Sequence, residues 1–379
     1  MQIFIPRETQ AGETRISLLP ADAKKLVDIG AQVLVETKLG EGLAIHDEAY
    51  VDAGAEITHD RLGALGAADM VMRLNKPPRE EIGAMKAGCI HVSYLDPFHE
   101  RDLVELLARA NASTFSIEMI PRTTIAQKMD ALSSQANLAG YVAVIAAAER
   151  LPKVLPMMST PAGTLAPSRY FIIGAGVAGL QAIATARRLG AVVEAFDTRP
   201  VVEEQVKSLG ARFVKVDLGD TGETKDGYAK ALTEDQLKLQ REAMAKRCAA
   251  ADVVITTAQL FGRPAPRIIT KDIIEQMKPG SLLMDLAVES GGNVEGSKVD
   301  EEIQINGVRI IGLSNLPGRV PVHASQMYSS NITHFVDHFW DMDKKTFLVD
   351  PTDELIVGSL VTHGGEIVNE MIQKAYADG

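Results

Sequence analysis

Short runs rich in valine and isoleucine recur along the chain, separated by stretches whose apolar residues return every three to four positions. The first set is IFI (3–5), QVLVE (32–36), MVMRL (70–74) and CIHVSYL (89–95), interleaved with helical patterns such as ADAKKLVDIG (21–30) and RDLVELLARA (101–110). Continuous apolar runs suit strands buried on both faces, and the 3.6-residue period suits helices, so the alternation predicts a parallel sheet covered on both sides. The second set is clearer: RYFII (169–173), VVEAF (192–196), RFVKV (212–216), DVVIT (252–256), SLLMDL (281–286) and VRIIGL (308–313). Six strands with intervening helices predict a Rossmann domain in its usual strand order, and VAGLQAIATARRLG (177–190) reads as a helix closed by Gly190. Two further helices are expected, a buried connecting helix over about 134–150 and another over 331–342.

Composition narrows the class. Hydrophobic residues make up 46% and charged residues 23%, the balance of an ordinary globular protein. Two cysteines, Cys89 and Cys248, give neither a disulfide framework nor zinc-ligand spacing, which suits a reducing compartment. His91, His323 and His334 have no metal-binding spacing, so no metal is assigned. The N-terminus, MQIFIPRET, lacks a basic stretch followed by an apolar one, and apolar runs such as 142–148 are far shorter than the ~20 residues of a membrane span. A net charge of −11 and 5% aromatic residues argue against nucleic acid as a partner, while leaving room for a phosphorylated small molecule held by backbone N–H groups.

The sharpest local signal is GAGVAG (174–179), a G-x-G-x-x-G between a strand and a helix. Gly174 permits the tight turn, Gly176 the approach of a pyrophosphate to the helix N-terminus, and Gly179 close helix–strand packing. Asp197 ends the next strand, 23 positions after Gly174, where a carboxylate accepts hydrogen bonds from the adenosine ribose and repels a 2′-phosphate. The expected cofactor is therefore NAD(H), although Arg199 is a residue type that accommodates a 2′-phosphate. The expected architecture is α/β, two doubly wound parallel-sheet (Rossmann-like) domains separated by a cleft. The N-terminal domain is expected over 1–133 plus 317–379, and the NAD-binding Rossmann domain over 134–316.

Other constellations are less decisive. Arg122, Gln127, Asp130 and Ser133, in PRTTIAQKMDALSSQ, have the chemistry to hold a carboxamide or ribose-phosphate at the cleft; pattern alone favours a helix N-terminal capping region with a solvated ion pair. Arg15 and Lys76 are candidate carboxylate ligands or merely exposed cations. MDLAVESGGN (284–293) ends the fifth Rossmann strand, where such sheets bind ligands, and offers Asp285, Glu289 and the pair Gly291-Gly292. Residues 217–235 are polar and aperiodic, a lid or a surface excursion.

Taken together, IPRETQAGETRISLLP (5–20), RTTIAQKMDALSSQANLAGYVAV (122–144), GAGVAGLQAIATARRLGA (174–191), TTAQLFGRPAP (256–266), KPGSLLMDLAVESGGN (278–293) and GLSNLPGRVPVHAS (312–325) carry a resemblance. Over essentially its whole length the chain resembles the alanine dehydrogenase/transhydrogenase family, and within it the NAD(H)-binding components of proton-translocating transhydrogenases. The resemblance implies a Re/Si-specific NAD(P)+ transhydrogenase activity: hydride transfer between NADH on this chain and NADP+ on a separate NADP(H)-binding component. It also implies a homodimer, membrane-spanning subunits that couple the reaction to proton movement, and a cytoplasmic location, peripheral at the inner membrane. Arg122, Gln127, Asp130 and Ser133 correspond to the family's nicotinamide-contacting loop. Gly227, Tyr228 and Gln240 correspond to a closing lid and neighbouring nucleotide contacts. Gly174, Gly176, Val177, Gly179, Asp197, Thr198, Arg199, Ala258 and Gln259 complete the implied cofactor set, with Gln259 departing from an often apolar position.

Alanine dehydrogenases of the family provide the alternative. Oxidative deamination needs an acid/base at the substrate. The family's histidine at a YLH-type strand end is replaced here by Asp96, in Tyr94-Leu95-Asp96, and its aspartate before the glycine pair by Glu289. Transfer between two nicotinamides exchanges no proton with solvent, so orientation and exclusion of water suffice. Arg15 is retained in both branches and discriminates poorly. A non-catalytic NAD(H) sensor is the third reading.

Overall fold

Strand register follows the apolar runs. A computed structural model describes residues 1–216 and 233–378, and the chain divides into two compact units, Met1–Gln135 with Gly318–Gly379, and Ala136–Pro317.

In the first unit six parallel strands lie across the sheet in the order Glu56–Thr58, Gln32–Glu36, Gln2–Ile5, Met70–Met72, Ile90–Ser93, Ser113–Ser116. In chain order that is 3-2-1-4-5-6, the doubly wound pattern. Leu360–His363 and Glu366–Ile367 extend it antiparallel beyond Ser113–Ser116. The tail helix Pro321–His338 packs on this sheet, with Phe335 5.4 Å from Phe115 and Phe347 5.5 Å from Phe115, ring centre to ring centre. Two serines of this helix accept backbone N–H groups, Ser325 from Ile16 and Ser329 from Leu19. The helix therefore begins ten residues before the expected 331 and ends four before 342, because its polar first half is satisfied inside the unit.

The second unit has the order Arg212–Phe213, Val192–Phe196, Arg169–Ile173, Val253–Thr256, Leu282–Asp285, Val308–Gly312, all parallel, and again 3-2-1-4-5-6. An unexpected seventh strand, Glu301–Ile305, pairs antiparallel with Val308–Gly312 at the edge. The expected 212–216 strand is only two residues long. Its core includes Phe171, Ile173, Val254, Leu283 and Ile310 with Met244, Ile273 and Ile274 from the covering helices.

The connecting helix is Ala131–Arg150. It is long and apolar enough by length and composition to cross a membrane, which the short apolar runs did not suggest. It is nonetheless a packing element: Ala143, Val144 and Ala147 are buried, and a Cβ on Gly140 would stand 2.1 Å from the Ala178 carbonyl oxygen. The helix is not buried on every side, since Tyr141 and Ile145 are exposed.

Candidate dinucleotide site and polar loop

In the second unit, Arg169–Ile173 runs into the glycine turn and the helix Val177–Arg188 leaves it. Gly174 has φ +96°, and a Cβ there would meet Thr257 Oγ1 at 2.5 Å. At Gly179 a Cβ would stand 1.9 Å from the Gly174 carbonyl oxygen, so the chain's own packing demands glycine. Gly176 differs. The nearest atom to a Cβ there is Arg199 Nη2 at 3.9 Å, so nothing in the protein requires its bareness. That open space lies against the N-terminal turn of a 12-residue helix, whose unpaired N–H groups favour an anion. The residues fit a dinucleotide pyrophosphate.

Asp197 sits at the end of the neighbouring strand with its side chain 6% exposed. Oδ2 accepts the Ala175 N–H at 2.7 Å, linking the strand end to the glycine turn. Arg199 grips the same carboxylate, donating from its backbone N and Nε to Oδ1 (2.8 and 3.0 Å) and from Nη2 to Oδ2 (2.9 Å). The like-charge exclusion expected of Asp197 is thus largely neutralised by its neighbour. Val177 opens the helix and is partly exposed, Thr198 lies between the paired residues, and Gln240 is buried in the helix Glu234–Ala250. Gly227 and Tyr228, with most of the expected lid, lie outside the described residues.

The backbone of Ala258 is already engaged. Its N–H donates to Asn293 Oδ1 at 3.0 Å, and its carbonyl accepts from Asn293 Nδ2 at 2.8 Å. Asn293 was not singled out from the sequence, yet this fully buried amide also bonds the Pro266 carbonyl and shapes the turn. Gln259 is exposed, with Nε2 3.5 Å from the Leu286 carbonyl. Asp285, a candidate for chemistry by position, is a loop organiser instead. It is fully buried and accepts backbone N–H groups from Ala287, Asn293 and Val294. Glu289 accepts the Asn315 N–H at 3.3 Å.

In the first unit the polar loop is built around a helix start. Asp130 caps Ala131–Arg150, its Oδ1 accepting the Ser133 N–H at 2.8 Å and its Oδ2 the Ser133 hydroxyl at 2.5 Å. Arg122 Nε lies 4.0 Å from Asp130 Oδ2, and the two side chains are 34% and 23% exposed, so both retain open faces. Gln127 is exposed on the short turn Ile125–Met129. The cap and the ion pair expected from pattern are both present; they leave Arg122 and Gln127 accessible to a ligand.

The other cations are occupied. Arg15 forms a two-pronged pair with Glu13 (2.8 and 2.7 Å) and donates from Nη1 to Gln135 at 3.0 Å. Lys76 pairs with Glu100 at 2.5 Å and stands 4.0 Å from Asp96. Asp96 has φ +50° and bonds His99 at 2.7 Å. Glu118, also missed in the sequence, holds this corner by accepting the Leu95 and Asp96 N–H groups; burial pushes its carboxyl up. No local pattern marks Glu118, whose partners lie over 20 residues away.

Burial alone raises the Glu13 carboxyl, but the Arg15 hydrogen bonds and charge outweigh it and lower it to about 2. A carboxylate depressed from its ordinary 4.5 contributes stability above about that pH and loses it as the pH falls toward 2. Glu13→Gln is expected to remove about 3 kcal/mol of acid-dependent stability, flattening the stability–pH curve between those values. Denaturant titrations from pH 2 to 7 check this; an unchanged slope contradicts it.

Among the described residues no group of three or more potential metal ligands occurs. Two family profiles match the chain, "Alanine dehydrogenase/PNT, N-terminal domain" over 4–139 and "Alanine dehydrogenase/PNT, C-terminal domain" over 143–370. The first part of an NAD(P) transhydrogenase subunit alpha, from Rhodospirillum rubrum, is 43% identical, the match covering 97% of this chain and 98% of that protein. A solved transhydrogenase structure from Sinorhizobium meliloti superposes with a TM-score of 0.84 at 39% identity, covering 98% of this chain and all of the other. An alanine dehydrogenase of Halomonas elongata is 28% identical over 99% of this chain and 97% of its own length. Profiles across both halves and near-full-length relatives together place this chain in the alanine dehydrogenase/PNT family.

Proposed function

We propose that the chain is the NAD(H)-binding component of a proton-translocating nicotinamide nucleotide transhydrogenase. The observation that carries this reading is the glycine turn at 174–179, open only at Gly176 and flanked by Asp197, in a chain most of whose length aligns with transhydrogenase alpha subunits. Asp96 favours it over the amino-acid dehydrogenase reading. At the strand end where that chemistry places a histidine, the chain carries a carboxylate bonded to His99 and close to Lys76.

In this reading Gly174, Gly176, Val177 and Gly179 receive the pyrophosphate, and Asp197, Thr198, Arg199, Gln240, Ala258 and Gln259 surround the adenosine side. Gly227 and Tyr228, outside the described residues, belong to the nucleotide-contacting set that the resemblance implies. Bound NADH supplies a hydride from its nicotinamide C4 to that of NADP+ on a separate component. Arg122, Gln127, Asp130 and Ser133 orient the ring and its carboxamide, and the Asp130–Ser133 cap keeps the carboxylate beside Arg122 from moving. Coupling to proton movement belongs to membrane-spanning subunits, with this chain peripheral to them at the cytoplasmic face and homodimeric. The exposed hairpin Met158–Thr160 and Gly163–Leu165, with Met157, Met158 and Leu165 outward, supports self-association.

Two measurements test the reading. Isolated chain with NAD+ and L-alanine is expected to give no NADH above background; robust turnover contradicts the proposal in favour of an amino-acid dehydrogenase. Arg122→Ala is expected to lower hydride transfer at least tenfold while changing NADH affinity less than threefold, because its interactions act on ring placement. Equal losses in both make Arg122 an ordinary binding residue.

A further inference from the structure

Asn331 lies within the tail helix Pro321–His338 and is 8% exposed. Its Nδ2 donates to the Lys128 carbonyl at 2.7 Å, and its Oδ1 accepts the Ser134 hydroxyl at 2.8 Å. A carbonyl only accepts, so the atom facing Lys128 is the amide nitrogen and the oxygen is left for Ser134. The Ser134 hydroxyl has a second acceptor in range, the Ala131 carbonyl, at the longer distance of 3.0 Å. Lys128 stands in the last turn of Ile125–Met129, where carbonyls lack a partner within their own helix. Ser134 stands in the first turn of Ala131–Arg150. Between the two elements the backbone breaks at Asp130, with φ −72° and ψ +83°. One amide therefore spans the break, gripping the chain two residues before Asp130 and four after it. The helix that carries it is fixed by other bonds. Ser325 and Ser329 accept the Ile16 and Leu19 N–H groups, the Tyr328 hydroxyl donates to the Arg73 carbonyl at 2.6 Å, and the Ala324 carbonyl accepts from Gln135 at 3.0 Å. Removing the amide at 331 thus frees the loop rather than the helix.

We propose that Asn331 is a positioning residue for hydride transfer: it sets the direction in which Asp130, and through it Arg122, meets the nicotinamide. This rests on reading the polar loop as the one that orients the ring. Arg122 Nε stands 4.0 Å from Asp130 Oδ2, so a shift of the break at Asp130 moves the carboxylate against which the guanidinium rests. An amide supplies donor and acceptor in one rigid plane, and a leucine of similar size supplies neither. Small misplacements of a group that orders a reactant cost rate more than affinity, because near-attack geometry is the stricter requirement.

The test measures two quantities on the full chain, with circular dichroism as the folding check. NADH affinity is read by fluorescence titration, and hydride transfer by stopped flow, from NADPH on a transhydrogenase NADP(H)-binding component to an NAD+ analogue. Asn331→Leu is expected to slow transfer at least tenfold while changing NADH affinity less than threefold. In an Arg122→Ala background the same substitution is expected to cost less than threefold, because the group it positions is gone. Ser329→Ala removes an acceptor from the same helix away from the loop, and is expected to lower the melting temperature without slowing transfer. Wild-type transfer in Asn331→Leu, equal losses of rate and affinity, a tenfold loss that persists beside Arg122→Ala, or a comparable loss in Ser329→Ala overturns the proposal. If Asn331→Leu does not fold, Ser134→Ala decides: transfer at least threefold slower at unchanged NADH affinity is expected, and an unchanged rate overturns it. Arg122→Ala with wild-type transfer overturns the reading of the loop as well, whereas a slow Arg122→Ala beside a wild-type rate in Asn331→Leu overturns only the role of Asn331.

Discussion

Gly179→Ala is expected to weaken NADH binding at least a hundredfold and to lower the melting temperature by several degrees. The added methyl stands 1.9 Å from the Gly174 carbonyl oxygen and 2.8 Å from its carbon. Both are backbone atoms of the same turn, so no side chain can rotate away; the strand–helix junction itself has to open. Overpacking of this kind costs about 1–3 kcal/mol in well-packed interiors, and the displaced atoms are those that shape the pyrophosphate cradle. Gly176→Ala provides the contrast. Its nearest neighbour is 3.9 Å away, so the melting temperature is expected to hold within about one degree while NADH affinity still falls, because the methyl fills space meant for the ligand. Calorimetry and equilibrium titration on the two variants separate these effects. Gly179→Ala with wild-type affinity contradicts the geometry.

The second large effect is expected far from the glycine turn. Arg73 is 2% exposed and hydrogen-bonds Glu81, which also accepts from Arg61 at 2.7 Å; Arg61 in turn donates to Glu36 at 2.5 Å. Removing one member of a buried pair leaves a charge with neither water nor partner, a loss of about 3–5 kcal/mol. Glu81→Ala is expected near the lower end of that range, because Glu8 remains near enough to influence Arg73 and Arg61 keeps Glu36. Replacing Arg73 and Glu81 together by methionine is expected to recover part of the loss, since the pair leaves together while Glu8 loses the Arg73 charge and keeps only the Leu74 and Asn75 N–H groups. Urea unfolding measures both. A cost below about 1 kcal/mol for Glu81→Ala contradicts the view that Arg73 depends on Glu81 for its charge balance.

What was legible in the sequence depended on where each element's partners lie. Arg169–Ile173, Val192–Phe196 and Val253–Thr256 are mostly apolar runs bounded by polar or small residues, a signal that is local to each strand. Ser113–Ser116 carries no such signal. Two of its hydroxyls are satisfied across the sheet, Thr114 by Thr362 at 2.7 Å and Ser113 by His363 at 2.9 Å, about 250 residues away. Glu301–Ile305 alternates polar and apolar residues at an edge and resembles a solvated loop. The first half of Pro321–His338 was missed for a related reason, its serines serving as acceptors for distant backbone groups.

The candidate site divides along the same line. Residue types and spacing revealed the glycine turn, Asp197 and Arg199 singly, and the cap at Asp130. They did not reveal that Asp197 and Arg199 hold each other, that Asn293 brackets Ala258, or that Asp285 is spent on three backbone N–H groups. Each of these depends on where a side chain points after the sheet has formed. A motif specifies which groups are available; packing decides which are still unused.

The central claim is that NADH held at the 174–179 turn reduces NADP+ on another component. Its most direct test mixes the chain with the NADP(H)-binding component of a transhydrogenase and follows, by stopped-flow absorbance, transfer between NADPH and an NAD+ analogue with a distinct spectrum. The account predicts rapid transfer that requires both proteins and is lost when Gly179→Ala replaces the wild-type chain. Tight NADH binding with no transfer in the mixture, under conditions where a known pair of components reacts, contradicts it and leaves a nucleotide-binding protein without this reaction.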